Sequence, residues 1–133
     1  MANLQELVKF TKTLSLLVVE DNQDSREQFV NMLKSLFDNI VTGVDGEDGL
    51  KKFKEDSFDL VISDINMPKM NGLEMIEEIR KIDKKVTIMV VSAHNENNFI
   101  DDAQFFDVDS YLFKPISLPQ FIESLSQMMN KVK

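Results

Sequence analysis

Leu16-Leu17-Val18-Val19-Glu20-Asp21 decides the fold: four apolar residues in a row, followed at once by two carboxylates. A strand with one wet face alternates apolar and polar residues. An unbroken apolar run implies cover on both faces, as in a parallel sheet flanked by helices. Ile88-Met89-Val90-Val91 repeats the pattern further along the chain. Around these two runs the sequence predicts strands at 14–19, 58–63, 86–92 and 110–113, with a weaker one at 40–44.

Helical spacing fills the intervals. Residues 24–37 carry Phe29, Leu33 and Leu36 on one stripe, with Asp24 or Ser25 as the expected N-cap. Residues 46–55 hold Leu50 and Phe53, 72–82 hold Leu73, Ile76 and Ile79, and 96–106 hold Phe99, Ala103 and Phe106. A last helix begins near Ser117 with Pro119 in its first turn, and Leu118, Ile122, Leu125, Met129 and Val132 form its stripe. Strand and helix alternating five times define an α/β chain with a doubly wound parallel sheet. One domain over 14–133 accounts for the pattern. Residues 1–13 form an N-terminal extension, expected to be frayed, although Leu4, Leu7 and Val8 can make a short amphipathic turn.

Composition narrows the function. The 133 residues suffice for one domain with a core, and the net charge of -8 repels a phosphate backbone, so direct nucleic-acid binding is not expected. With no cysteine, disulfides and thiolate metal sites are excluded. No apolar run is long enough to span a bilayer and no signal-peptide pattern opens the chain, which leads to an expectation of a cytoplasmic protein without membrane contact. Gly43, Gly46 and Gly49 make neither GxGxxG nor a Walker sequence, so no nucleotide loop is read.

In an open parallel α/β sheet, ligands bind beyond the carboxyl ends of the strands. Glu20 and Asp21 follow the first predicted strand, Asp64 ends the third, Ser92 ends the fourth, and Lys114-Pro115 follows the fifth. Singly, each is an ordinary cap or turn residue. Four such groups at four strand ends converge on one edge. Three carboxylates against one ammonium leave two negative charges unbalanced, and like charges ~4 Å apart repel by ~4 kcal/mol at an effective dielectric of ~20. Hard oxygen donors with no His or Cys nearby in sequence favour Mg2+, with Mn2+ or Ca2+ as substitutes.

Asp64-Ile65-Asn66-Met67-Pro68-Lys69-Met70-Asn71-Gly72-Leu73 is similar to the phosphoacceptor loop of response regulator receiver domains, the CheY-like modules of two-component signalling. Glu20-Asp21-Asn22, Ser92-Ala93 and Lys114-Pro115 resemble that family's other signatures, in order, over about residues 14–130. The resemblance implies the flavodoxin-like receiver fold, five parallel strands in the order 2-1-3-4-5 with five helices. It implies Asp64 as the phosphoacceptor. Glu20, Asp21, Asp64 and the backbone carbonyl of Asn66 become metal ligands, and Ser92 and Lys114 phosphoryl-binding groups. Ser92 and Tyr111 are the switch pair, Pro115 follows a cis bond, and the Asn66 side chain positions the water that removes the phosphoryl group. The implied partners are a sensor histidine kinase or phosphotransfer protein and a downstream protein or output domain, with a homodimer formed on phosphorylation also admitted. The implied role is a phosphorelay switch rather than an enzyme, limited to self-phosphorylation from a donor and self-dephosphorylation.

Asp107-Val108 stands where the family commonly has Gly-Ala, and Gly49 sits inside a helix that should be weaker for it. His94 either borders the site or lies in a solvated loop. One of Phe105 and Phe106 is expected to face outward as a partner contact. A haloacid-dehalogenase-like phosphohydrolase also uses a strand-end aspartate, but needs a second Asp where Asn66 stands, and the chain has no room for a cap domain. A degenerate receiver that only binds partners is disfavoured because all the acceptor groups are present.

Overall fold

The computed structural model describes residues 4–65, 70–93, 108–114 and 116–132, and the side chains of all of these except 92, 93 and 129–132. The strands are β1 (Ser15–Val19), β2 (Asn39–Gly43), β3 (Leu60–Asp64), β4 (Thr87–Ala93) and β5 (Ser110–Lys114). All pair in parallel in the order β2-β1-β3-β4-β5. The described helices are α1 (Leu4–Thr11), α2 (Gln23–Leu33), α3 (Gly46–Glu55), α4 (Gly72–Ile82) and α5 (Leu118–Val132). None is long and apolar enough to cross a membrane.

The unbroken apolar strands are explained by two cores. Leu16, Val18, Leu60, Ile62, Met89 and Val91 face one side and pack with Leu7 of α1, Leu33 of α2, and Phe121 and Leu125 of α5. Leu17, Val19, Val61, Ile88 and Val90 face the other and pack with Leu50 and Phe53 of α3 and Met75, Ile76 and Ile79 of α4. Successive residues of each strand therefore serve opposite cores, and neither face needs polar positions.

Residues 4–11 are not frayed. Eight residues make a marginal helix in isolation. Here Leu7 is buried, Val8 and Phe10 pack against the first core, and the Thr11 hydroxyl donates to Leu36 O at 2.5 Å. Tertiary burial makes the helix. Next, α2 ends at Leu33 rather than 37: Leu36 and Phe37 keep the apolar spacing and are buried, but from the following turn, where both amides donate to Leu33 O. Its N-cap is Asn22, whose side chain accepts from the Ser25 amide, and not Asp24 or Ser25. Asp64 closes β3 itself.

Gly49 also reads differently in place. A Cβ there would lie 2.7 Å from Val19 Cγ2 and 2.8 Å from Met75 Sδ, so the missing methyl is what lets α3 seat against β1 and α4. The predicted helix over 96–106, with Phe105 and Phe106, lies outside the described residues, as does Asp107.

Candidate functional site

The carboxyl ends of β1, β3 and β5 bring Glu20, Asp21, Asp64 and Lys114 together. Glu20 is buried just beyond β1, where its amide donates to Gly43 O at 3.1 Å and extends the pairing with β2. Its carboxylate accepts from Lys114 Nζ at 2.5 Å through Oε1 and from the Asn22 amide at 3.2 Å through Oε2. Asp64 Oδ2 accepts from Lys114 Nζ at 3.1 Å, and Oδ1 from the Ile65 amide at 2.7 Å. Asp21 is exposed, at the mouth of the site. One carboxylate oxygen from each of Glu20, Asp21 and Asp64 lies within 4.8 Å of the others.

Lys114 reaches this cluster from β5 across the end of β4. Burial lowers the pKa of its ammonium, but the bond to Glu20 and the charges of Asp64 and Glu20 outweigh that and hold it above its usual range. Although the residue as a whole is exposed, the Asp21 carboxyl is held above the ordinary carboxylate range, first by loss of hydration where it turns toward the cluster and then by its neighbour Glu20. Three converging carboxylates, one of them strained toward its neutral form, fit a hard divalent cation.

Ile65 and Met70 are each held by a glycine at the start of a helix. The Gly72 amide donates to Ile65 O at 2.8 Å, and a Cβ on Gly72 would lie 2.1 Å from Asp64 O, so only glycine lets α4 start against the end of β3. The Gly46 amide, at the start of α3, donates to Met70 O at 3.0 Å. Asn71 then caps α4 in a reciprocal capping box with Glu74.

Ser92 sits in β4 in register with Phe113, its backbone at the same sheet edge. Tyr111 is half-buried in β5, against the second core and 5.2 Å, ring centre to ring centre, from the more exposed Phe113. Asn66, His94 and Pro115 lie outside the described residues. Sequence reasoning missed Arg26, whose guanidinium donates to Glu20 O at 2.8 Å and Asp21 O at 3.4 Å. The only signal was its place five residues after Asp21, as one of two arginines in the chain.

Residues 16–126 match the family model described as the response regulator receiver domain. The chain is 32% identical over 117 residues to a chemotaxis protein CheY of Treponema pallidum (strain Nichols), a match covering 86% of this chain and 81% of that protein. It is 29% identical over 107 residues to a response regulator receiver protein of Anaeromyxobacter sp. (strain Fw109-5); there the match covers 80% of this chain but only 45% of the relative. Among solved structures, the N-terminal domain of an uncharacterized protein from Wolinella succinogenes superposes with a TM-score of 0.81 at 33% identity, covering 88% of this chain and 94% of that one.

Proposed function

Because the chain belongs to the response regulator receiver domain family, we propose that it carries a two-component signal by accepting a phosphoryl group on Asp64. The observation that carries this reading is the pairing of the Lys114 ammonium with Asp64 Oδ2 at 3.1 Å, beside two further carboxylates. In the forward step a carboxylate oxygen of Asp64 attacks the phosphorus of a phosphohistidine on a sensor kinase or phosphotransfer protein. The P–O bond forms as the P–N bond breaks, and the histidine nitrogen leaves with its electron pair. Transfer of this kind needs mainly positioning and charge stabilisation at the equatorial oxygens. Lys114 supplies one fixed positive charge there, and the Ser92 hydroxyl a hydrogen bond.

Glu20, Asp21, Asp64 and the Asn66 carbonyl are the groups that would hold Mg2+, with Mn2+ or Ca2+ as substitutes. A bound divalent ion supplies neutralisation of the cluster and of the phosphoryl charge. The product is a mixed anhydride, labile enough for a reversible signal. Water attacks the phosphorus, held in line by the Asn66 amide, and returns the Asp64 carboxylate and inorganic phosphate.

We assign 14–133 to the receiver domain and 1–13 to an N-terminal extension. The chain acts as a switch and not as a turnover enzyme, in the cytoplasm. A downstream protein or output domain reads a rearrangement of Ser92 and Tyr111, with Lys114-Pro115 as a cis bond beside them, and a phosphorylation-dependent homodimer is one form of output. The test compares Tyr111 ring signals by NMR with and without beryllofluoride and Mg2+. A shift confined to the added pair supports the switch, and unchanged signals count against it.

A further inference from the structure

The turn that carries Glu20 and Asp21 is held at nearly every polar group. The Glu20 amide is taken by Gly43 O, and the Glu20 carboxylate by Lys114 and the Asn22 amide. The Asn22 side chain is fixed on the Ser25 amide as the cap of α2. Of the turn's backbone carbonyls, those of Glu20 and Asp21 are met by Arg26 Nη1, at 2.8 Å and a longer 3.4 Å. Placing this cation there is not the easy choice. Arg26 is the fourth residue of α2, near a helix end that favours negative charge. Although the site beside it is acidic, its guanidinium makes no ion pair with a carboxylate among the described residues.

We infer that Arg26 is a positioning residue for the metal site, bridging the carbonyls of Glu20 and Asp21 so that the exposed Asp21 carboxylate is aimed by a rigid backbone. The inference rests on the proposed reading of Glu20, Asp21 and Asp64 as metal ligands. Asp21 needs such a brace more than its partners do. Glu20 is buried and bonded at both oxygens, and Asp64 is bonded at both of its own, whereas Asp21 stands exposed. If the turn loosens, the ligand with the fewest side-chain restraints loses its orientation first. Groups that orient ligands from behind contribute strongly to metal affinity without touching the ion. Both bonds leave the single nitrogen Nη1, so a lysine at 26 would keep the charge but, on a shorter side chain without the planar group that fixes that nitrogen, would not set it between the two carbonyls.

The test is calorimetric titration of magnesium chloride into the full chain, as wild type, Arg26→Lys and Arg26→Met, with thermal unfolding of each metal-free protein alongside. Arg26→Met should bind magnesium about tenfold more weakly, with Arg26→Lys between it and wild type. A variant with a lowered unfolding midpoint but unchanged magnesium affinity makes Arg26 a helix brace and overturns the inference. Arg26→Lys binding as tightly as wild type overturns the two-carbonyl bridge, and it reports even if Arg26→Met does not fold. A wild type that binds no magnesium overturns the metal-site reading itself, whereas a wild type that binds while both variants bind equally well overturns only the role of Arg26.

Discussion

Lys114 Nζ stands 3.1 Å from Asp64 Oδ2 although β4 lies between the strands that carry them. The same ammonium bonds Glu20, so one side chain from the last strand ties together acids from the ends of the first and third. Removing that ammonium should have opposite effects on the two halves of the proposed chemistry.

Lys114→Met leaves three carboxylates without a fixed counter-charge, so magnesium should bind severalfold more tightly. Phosphorylation should slow by about 10²-fold, the usual order for losing one electrostatic donor at a reacting oxyanion. Calorimetry and a labelling time course measure the two. Parallel losses in both would mean that the lysine only supports the fold.

Asp21→Ala should abolish magnesium binding, while Glu20→Ala should only weaken it. Asp21 is exposed at the site, whereas both Glu20 oxygens are already engaged, by Lys114 and the Asn22 amide. Titration of the two variants under one set of conditions decides the order. Equal losses contradict it.

The raised pKa of Asp21 makes a prediction for the metal-free protein. Partial loss of hydration first, then Glu20, favours its neutral form. Its contribution to stability is present below the unfolded pKa and is lost as pH rises through the higher folded value. At pH 7 the ionised carboxylate therefore opposes folding. Asp21→Asn should raise the unfolding midpoint there by about 1–3 °C, a small gain because the group is exposed, and the gain should vanish at strongly acid pH. Thermal melts across pH check it, and a lowered midpoint at pH 7 contradicts it.

Much of this arrangement was legible from the chain alone, for reasons that can be named. Continuous apolar strands report cover on both faces, and Glu20, Asp21, Asp64 and Lys114 each sit at or just beyond the end of such a run. What escaped depends on contacts distant in sequence. α1 exists because Leu7 finds the first core, and Thr11 finds Leu36 O. Leu36 and Phe37 hold helical spacing inside a turn. Gly49 reads as a weak helix residue until Val19 and Met75 are placed against it. Arg26 belongs to no motif in the sequence, and its bonds to two carbonyls depend on how the β1 end and α2 meet.

α1 supplies the fourth prediction. Leu7 is 2% exposed whereas Leu4 is 57% exposed. Leu7→Ala should therefore destabilise the protein by about 2–3 kcal/mol, within the usual range for a buried leucine, and Leu4→Ala by well under ~1 kcal/mol. Urea unfolding of both variants provides the comparison. Equal small effects would mean that α1 is not part of the cooperative fold.

The central claim is that Asp64 is the acceptor. Intact mass spectrometry of the chain, incubated with magnesium and a small acyl-phosphate donor, tests it most directly. The wild type should gain a single phosphoryl group, lost on removing magnesium and absent from Asp64→Asn. A phosphoryl group that persists on Asp64→Asn, or a wild type that never gains one, would contradict it.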